Sequence, residues 1–188
     1  AIKFEQQNFL YIKALGSPWV QFNGHTLNLS HRQIEILCIL ALHPYGIGLD
    51  ELHYALYGER NVSIKTLKAE LSQLRSLLPH CIEARIYKLT CEVQCDFVRA
   101  EQSLNANLIA STFSLYKGSF LSKSESPLLS TWRHCFDARL SQLIYQIKDI
   151  DQLLRIIGQT HDRIDAVQRL LELLPQDSTH RNYFTNLI

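Results

Sequence analysis

The order of apolar and polar positions divides the chain into a strand-rich opening and a helical remainder. Residues 9–15, FLYIKAL, and 19–22, WVQF, are rich in β-formers, with Gly16-Ser17-Pro18 between them. Asn23-Gly24 gives a two-residue hairpin signal, because both residues tolerate positive φ. HTLNL (25–29) returns as a third strand, so a small antiparallel meander is predicted. Helical spacing then takes over in HRQIEILCILALH, with Ile34, Leu37, Leu40 and Ala41 on one face. Ser30 is its N-cap, and Gln33 completes a capping box. Pro44 and Gly46 stop this helix. A second helix covers 49–58 and ends at Gly58. A third begins after the cap Ser63 and runs to Leu78, where Pro79 stops it. YKLTCEV alternates Tyr87, Leu89, Cys91 and Val93 against Lys88, Thr90 and Glu92, which predicts one half-buried strand over 87–93, with CIEARI as its hairpin partner.

From Asp96 onward every segment reads as helix: 96–105, 107–117, 127–147, 149–158, 161–174 and 177–187. KGSFLSKSESP (117–127) is a Ser-rich loop that ends with Ser126 as N-cap and Pro127 at the first helical position. Asp149 and Asp151 straddle a helix junction as caps. The predicted fold is α+β and mainly α: an antiparallel N-terminal sheet, three helices, a hairpin, then an all-α region. The boundary falls at residue 95, giving domains 1–95 and 96–188.

The third helix has an unusual second face. Ile64, Leu67, Leu71, Leu74 and Leu78 form its apolar stripe. Lys65, Ala69, Ser72, Gln73 and Ser76 lie opposite, and Lys65, Lys68 and Arg75 meet Glu70 as the only acid. Over the whole chain 19 basic residues face 18 acidic ones, a net charge of +1. A nucleic-acid partner therefore has to be met by a local patch. Residues 61–88 supply one, with Lys65, Lys68, Arg75, Arg85 and Lys88 against Glu70 and Glu83, whereas the region from 100 to 188 is balanced.

The element order resembles the winged helix-turn-helix of OmpR/PhoB-type response regulators. LNLSHRQIEILCILALHPYGIGLDELHYALYG, SIKTLKAELSQLRSLL and YKLT carry that resemblance over residues 9–93. CDFVRAEQSL, LYKGSFLSKSESPLLSTWR and ARLSQLI resemble the helical domain that follows such a winged helix in bacterial transcriptional activators of the antibiotic-regulator (SARP-like) type. DRIDAVQRLLELLPQD looks like tetratricopeptide (TPR)-style packing.

The resemblance implies a cytoplasmic, sequence-specific DNA-binding regulator, not an enzyme, acting as the output region of a longer signal-responsive protein. Its third helix would lie in the major groove. Lys65 and Thr66 fall where the family contacts phosphate, Ala69, Ser72 and Gln73 where it faces base edges, and Arg75 on a flank that meets phosphate or base. With Lys68, Ser76 and the wing residues Arg85 and Lys88, these form the candidate DNA-binding set. Gln pairs with adenine, Arg with guanine, and Ala fits a thymine methyl. Two departures imply weak binding by one copy: Ser72 and Gln73 stand where the family usually has Arg, and the wing EARIYK has no glycine. The expected partner is double-stranded DNA, with RNA polymerase or a second copy on the helical domain, along the Trp132, Phe136, Leu140, Leu143, Ile147 stripe, which otherwise reads as core. The alternative is a protein-interaction module on a winged helix that no longer binds DNA.

Other chemistry is poorly supported by the sequence. There is no C-x-x-C spacing, no H-E-x-x-H and no glycine-rich phosphate loop. His80, Cys81, Cys91 and Cys95 are spaced unlike a zinc site, and alternation places Cys91 inside. His134 and Cys135 are helix neighbours whose side chains diverge by about 100°. No cofactor or metal is expected. Five cysteines without a disulfide pattern suit a reducing compartment, and no apolar run reaches the roughly 20 residues that span a bilayer. An initial Ala and the absence of Met lead us to expect a piece of a longer protein.

Overall fold

The first strand, β1 (Phe9–Lys13), buries Leu10 and Ile12 on one face. It pairs antiparallel with β2 (Trp19–Phe22), which pairs with β3 (His25–Leu27) through the expected turn, Asn23 and Gly24 both having positive φ. The computed structural model describes residues 7–160 and 162–188. Three helices follow, α1 (His31–Leu42), α2 (Leu49–Tyr57) and α3 (Ile64–Leu77). The capping box of α1 is present: Gln33 N–H donates to Ser30 Oγ at 3.2 Å, and Ser30 N–H donates to Gln33 Oε1 at 3.0 Å.

The single strand expected over 87–93 is two strands. β4 (Ile82–Ala84) and β5 (Tyr87–Leu89) form the hairpin. The chain then breaks at Thr90, whose N–H donates to Cys81 O and whose hydroxyl donates to His80 O. It resumes as β6 (Glu92–Cys95), which runs parallel to β1 on the edge away from β2. The N-terminal sheet is therefore mixed, in the order β3-β2-β1-β6. The break leaves Cys91 half-buried rather than inside. Periodicity could not show it, because alternation continues through both strands while their partners change.

Helices fill the rest: α4 (Asp96–Asn105), α5 (Ile109–Leu115), α6 (Pro127–Gln146), α7 (Ile150–Gln159), α8 (Ile164–Leu173) and α9 (Arg181–Thr185). The expected helix 107–117 is shorter because Asn107 turns at positive φ. The expected 177–187 shrinks to α9 after a run of turns. Helix 161–174 starts at Ile164, and position 161 lies outside the described residues. Ser126 caps α6 by accepting from Leu129 N–H at 3.2 Å, with Pro127 in the first turn. Asp149 caps α7, while Asp151 sits within its first turn.

A polar joint fastens the helices after residue 95 to what precedes them. Asp96 Oδ1 accepts from Ala14 N–H and Phe97 N–H at 2.8 Å each, and Oδ2 from Leu15 N–H at 2.9 Å. Beyond the end of β1, Leu15 bridges antiparallel to Phe120. Ser126 Oγ donates to Ala55 O of α2 at 2.6 Å. Around these bonds the apolar core is continuous from Leu10 to Phe184. The Trp132–Ile147 stripe belongs to that core: Phe136, Leu140, Leu143 and Ile147 are buried, and Trp132 stacks on Phe136 at 4.8 Å. The stripe is therefore unavailable to a second copy, contrary to the expectation above. α6 packs against α2, α8, α1 and α4, and Trp132 meets Phe97 and Phe120 while Phe136 meets Tyr116, which together consume it.

Candidate nucleic-acid interface

α3 forms because Ser63 accepts from Lys65 N–H at 3.2 Å and because Leu67, Leu71 and Leu74 bury one stripe against α1 and α2. Every other candidate on the helix is exposed: Lys65, Thr66, Lys68, Ala69, Ser72, Gln73, Arg75 and Ser76. They form one strip that the later helices leave uncovered. Glu70, the only acid, is half-buried, and its Oε2 is sealed from solvent with no hydrogen-bond partner among the described residues. Its charge raises the pKa of the Tyr57 phenol behind desolvation by burial, so it lies toward α2 rather than on the outer strip. The outer strip consequently carries three cations and no exposed carboxylate. Ser76 is partly engaged, its hydroxyl donating to Ser72 O at 3.2 Å.

The hairpin residues come from a separate element. Arg85 is exposed in the two-residue turn between Ala84 and Tyr87. Lys88 is half-buried and stands opposite Glu83 in the hairpin register. Sequence reasoning missed how the hairpin is held. Ile47 and Tyr87 exchange backbone hydrogen bonds at 3.0 and 2.9 Å, so the α1–α2 connection acts as a third strand. Gly46, at φ +94°, lies beneath Ile86, where a Cβ would come within 2.3 Å of Ile86 Cγ2. Tyr45, next to Gly46 in the chain, is 92% exposed, and Ile86 at the hairpin tip is 54% exposed. The available signal was the isolated Gly46 between two larger residues.

The cysteines are set apart from this surface. Burial pushes the Cys81 thiol up to about 12, helped by its hydrogen bond with Cys91, and burial also raises Cys95 to about 12. A reactive thiolate is disfavoured at both. His134 and Cys135 are both exposed on α6. Among the described residues no helix is long and apolar enough to cross a membrane.

No protein-family model matches the chain. It is 29% identical over 153 residues to an uncharacterised 47.3 kDa protein of the thcA 5′ region of Rhodococcus erythropolis, covering 81% of this chain and 35% of that protein. The chain thus spans about a third of the length of that curated relative. The solved structure of Mycobacterium tuberculosis EmbR, in complex with a low-affinity phosphopeptide, superposes with a TM-score of 0.56 at 14% identity, over 96% of this chain and 56% of EmbR. The likeness runs through the three-helix and hairpin portion and the helical portion alike, so the fold is an EmbR-like winged helix with a helical region attached.

Proposed function

We propose that the chain is the DNA-reading output region of a bacterial transcription regulator of the antibiotic-regulator type, built on an OmpR/PhoB-type winged helix. The observation that carries this reading is the outer strip of α3: small and polar side chains flanked by cations, with the one acid turned inward. Lys65 and Thr66 meet phosphate, Gln73 and Ser72 face base edges, Ala69 lets the helix approach closely, and Lys68 and Arg75 flank it. Ser76 borders the reading face, and Arg85 reaches backbone phosphate from the wing, with a smaller share from Lys88. The fold shared with EmbR supports this role. The helices after residue 95 serve partner contacts, with RNA polymerase or a second copy. Exposed Ile164, Tyr183 and Leu187 near the end of the described chain offer apolar surface for that.

A second reading, an interaction module that has ceased to bind DNA, is favoured by the acid Glu83 opposite Lys88, which weakens the wing as a phosphate clamp. One experiment separates the two. The purified chain is used to select duplexes from a randomised pool, and anisotropy is then followed against salt. DNA reading yields an enriched motif and a log–log salt slope of about −3, for three to four neutralised phosphates. No enrichment and a slope near zero would leave the interaction module.

A further inference from the structure

Between the end of α1, the β5–β6 stretch and α4 lies a cavity of about 330 Å3, open on one side. That is within the range of small-molecule sites, toward its lower end. Leu40 of α1, Leu89 and Val93 of the strands and Val98 of α4 form its walls. Leu40 is buried, but Leu89, Val93 and Val98 are left half-buried, so the fold does not cover this apolar surface itself. Amide and guanidinium groups stand around it on Gln94, Arg99 and Gln102, and no acid lines it. Among the described residues no carboxylate lies within ion-pair distance of Arg99.

We propose that this cavity binds a small organic monocarboxylate, an aryl or alkyl acid, with its hydrocarbon body between Leu89, Val93 and Val98 and its carboxylate on the Arg99 guanidinium. Apolar walls reward a hydrocarbon body by removing it from water. A guanidinium fork matches the two oxygens of one planar carboxylate, and the Gln94 and Gln102 amides can donate to the remaining lone pairs. A helix about 10 Å across is too wide for the space, and a small polyanion would leave the apolar walls unused. The occupant touches the hairpin strand β5 and α4 at once, so it braces the wing against the helical region. The proposal concerns ligand binding and stands apart from DNA reading.

The test uses the whole chain with 3-phenylpropionate and, in parallel, its uncharged counterpart 3-phenylpropan-1-ol. Affinity is read by calorimetry. Iodoacetamide labelling of Cys91, which lines the cavity, is read by peptide mass spectrometry, with exposed Cys135 as internal control. The acid is expected to saturate one site, to bind about tenfold more tightly than the alcohol, and to slow labelling of Cys91 while leaving Cys135 unchanged. Arg99→Gln, an exposed change that keeps the fold, removes the preference for acid. Val98→Trp, which fills the space, removes binding of both. Absence of saturation, equal affinity for acid and alcohol, a preference that survives in Arg99→Gln, or equal protection of Cys135 would each overturn the proposal.

Discussion

The Ser124 hydroxyl donates a 2.5 Å hydrogen bond to Glu35 Oε1, tying the loop before α6 to a buried carboxylate of α1. Glu35 Oε2 pairs with Arg32 Nη1 at 2.7 Å, and the Arg32 guanidinium lies 4.6 Å from the Tyr57 ring centroid. Two side chains of α1, Glu35 and Arg32, therefore link a later loop to the end of α2. A buried carboxylate is tolerated only where hydrogen bonds and a counter-charge offset its desolvation, and here the loop supplies part of that.

Removing either partner should loosen the joint. Ser124→Ala leaves Glu35 Oε1 short of a donor inside the protein and should cost about 1–2 kcal/mol. Glu35→Ala strands both Ser124 and Arg32 and should cost about 3 kcal/mol or more. Urea denaturation of the two single variants and the double variant checks this. Strictly additive losses would show that the two residues are not coupled.

Asp96 should write a pH signature on stability. Burial raises its folded pKa above the ordinary 3.8, against the pull of the Ala14, Leu15 and Phe97 amides and of Lys13. The native state then keeps its proton after the unfolded chain has released it, so this group's contribution falls as pH rises from about 3.8 through the folded value and is level above it. Asp96→Asn should abolish that slope. Near neutral pH it should also cost about 1–3 kcal/mol, because its amide nitrogen cannot accept from a backbone N–H. Denaturation curves from about pH 3.5 to about pH 7 decide the matter. Parallel profiles for both proteins would assign the slope to other groups.

At Gly46 a methyl group meets both a left-handed backbone and Ile86. Gly46→Ala should cost about 1–2 kcal/mol from the backbone alone and push the hairpin tip outward. Adding Ile86→Ala should recover the contact share and none of the backbone share. Thermal unfolding of the single and double variants measures the split, and no recovery in the double variant would mean that the contact is not felt.

Within α3 two substitutions should behave differently. Gln73→Ala should relax sequence preference by about 1–3 kcal/mol at one base position. Lys65→Ala should weaken binding to every duplex and flatten the salt slope by about one unit. Competition titrations at several salt concentrations check both, and identical effects on all sequences would remove Gln73 from base reading.

Local chemistry was legible in the sequence and partner choice was not. The Ser30–Gln33 capping box, the Asn23-Gly24 turn, the Ser126-Pro127 helix start and the Leu stripe of α3 each follow from a few adjacent residues. The exposure of Lys65, Ser72 and Gln73 followed from the same stripe. The division of 87–93 did not, because Thr90 changes partner strands without changing the alternation. Nor did the anchoring role of Ile47, which reads only as a residue between two glycines. Ser124 and Asp96 also gave no sign in the sequence that their bonds reach residues 89 and 82 positions away.

The parallel seam between β1 and β6 fixes an order of events during synthesis. β1 leaves the ribosome before β6, so its second edge stays unpaired until the segment ending at Cys95 has emerged. The bridge from Leu15 waits longer still, for Phe120. Until then an apolar strand with Leu10 and Ile12 stands with one raw edge, the kind of surface that recruits foreign strands. The whole stretch from β1 to Phe120 must therefore be translated before that strand is covered, and codon changes that slow translation between Phe9 and Phe120 should lower soluble yield more than equal changes after Phe120.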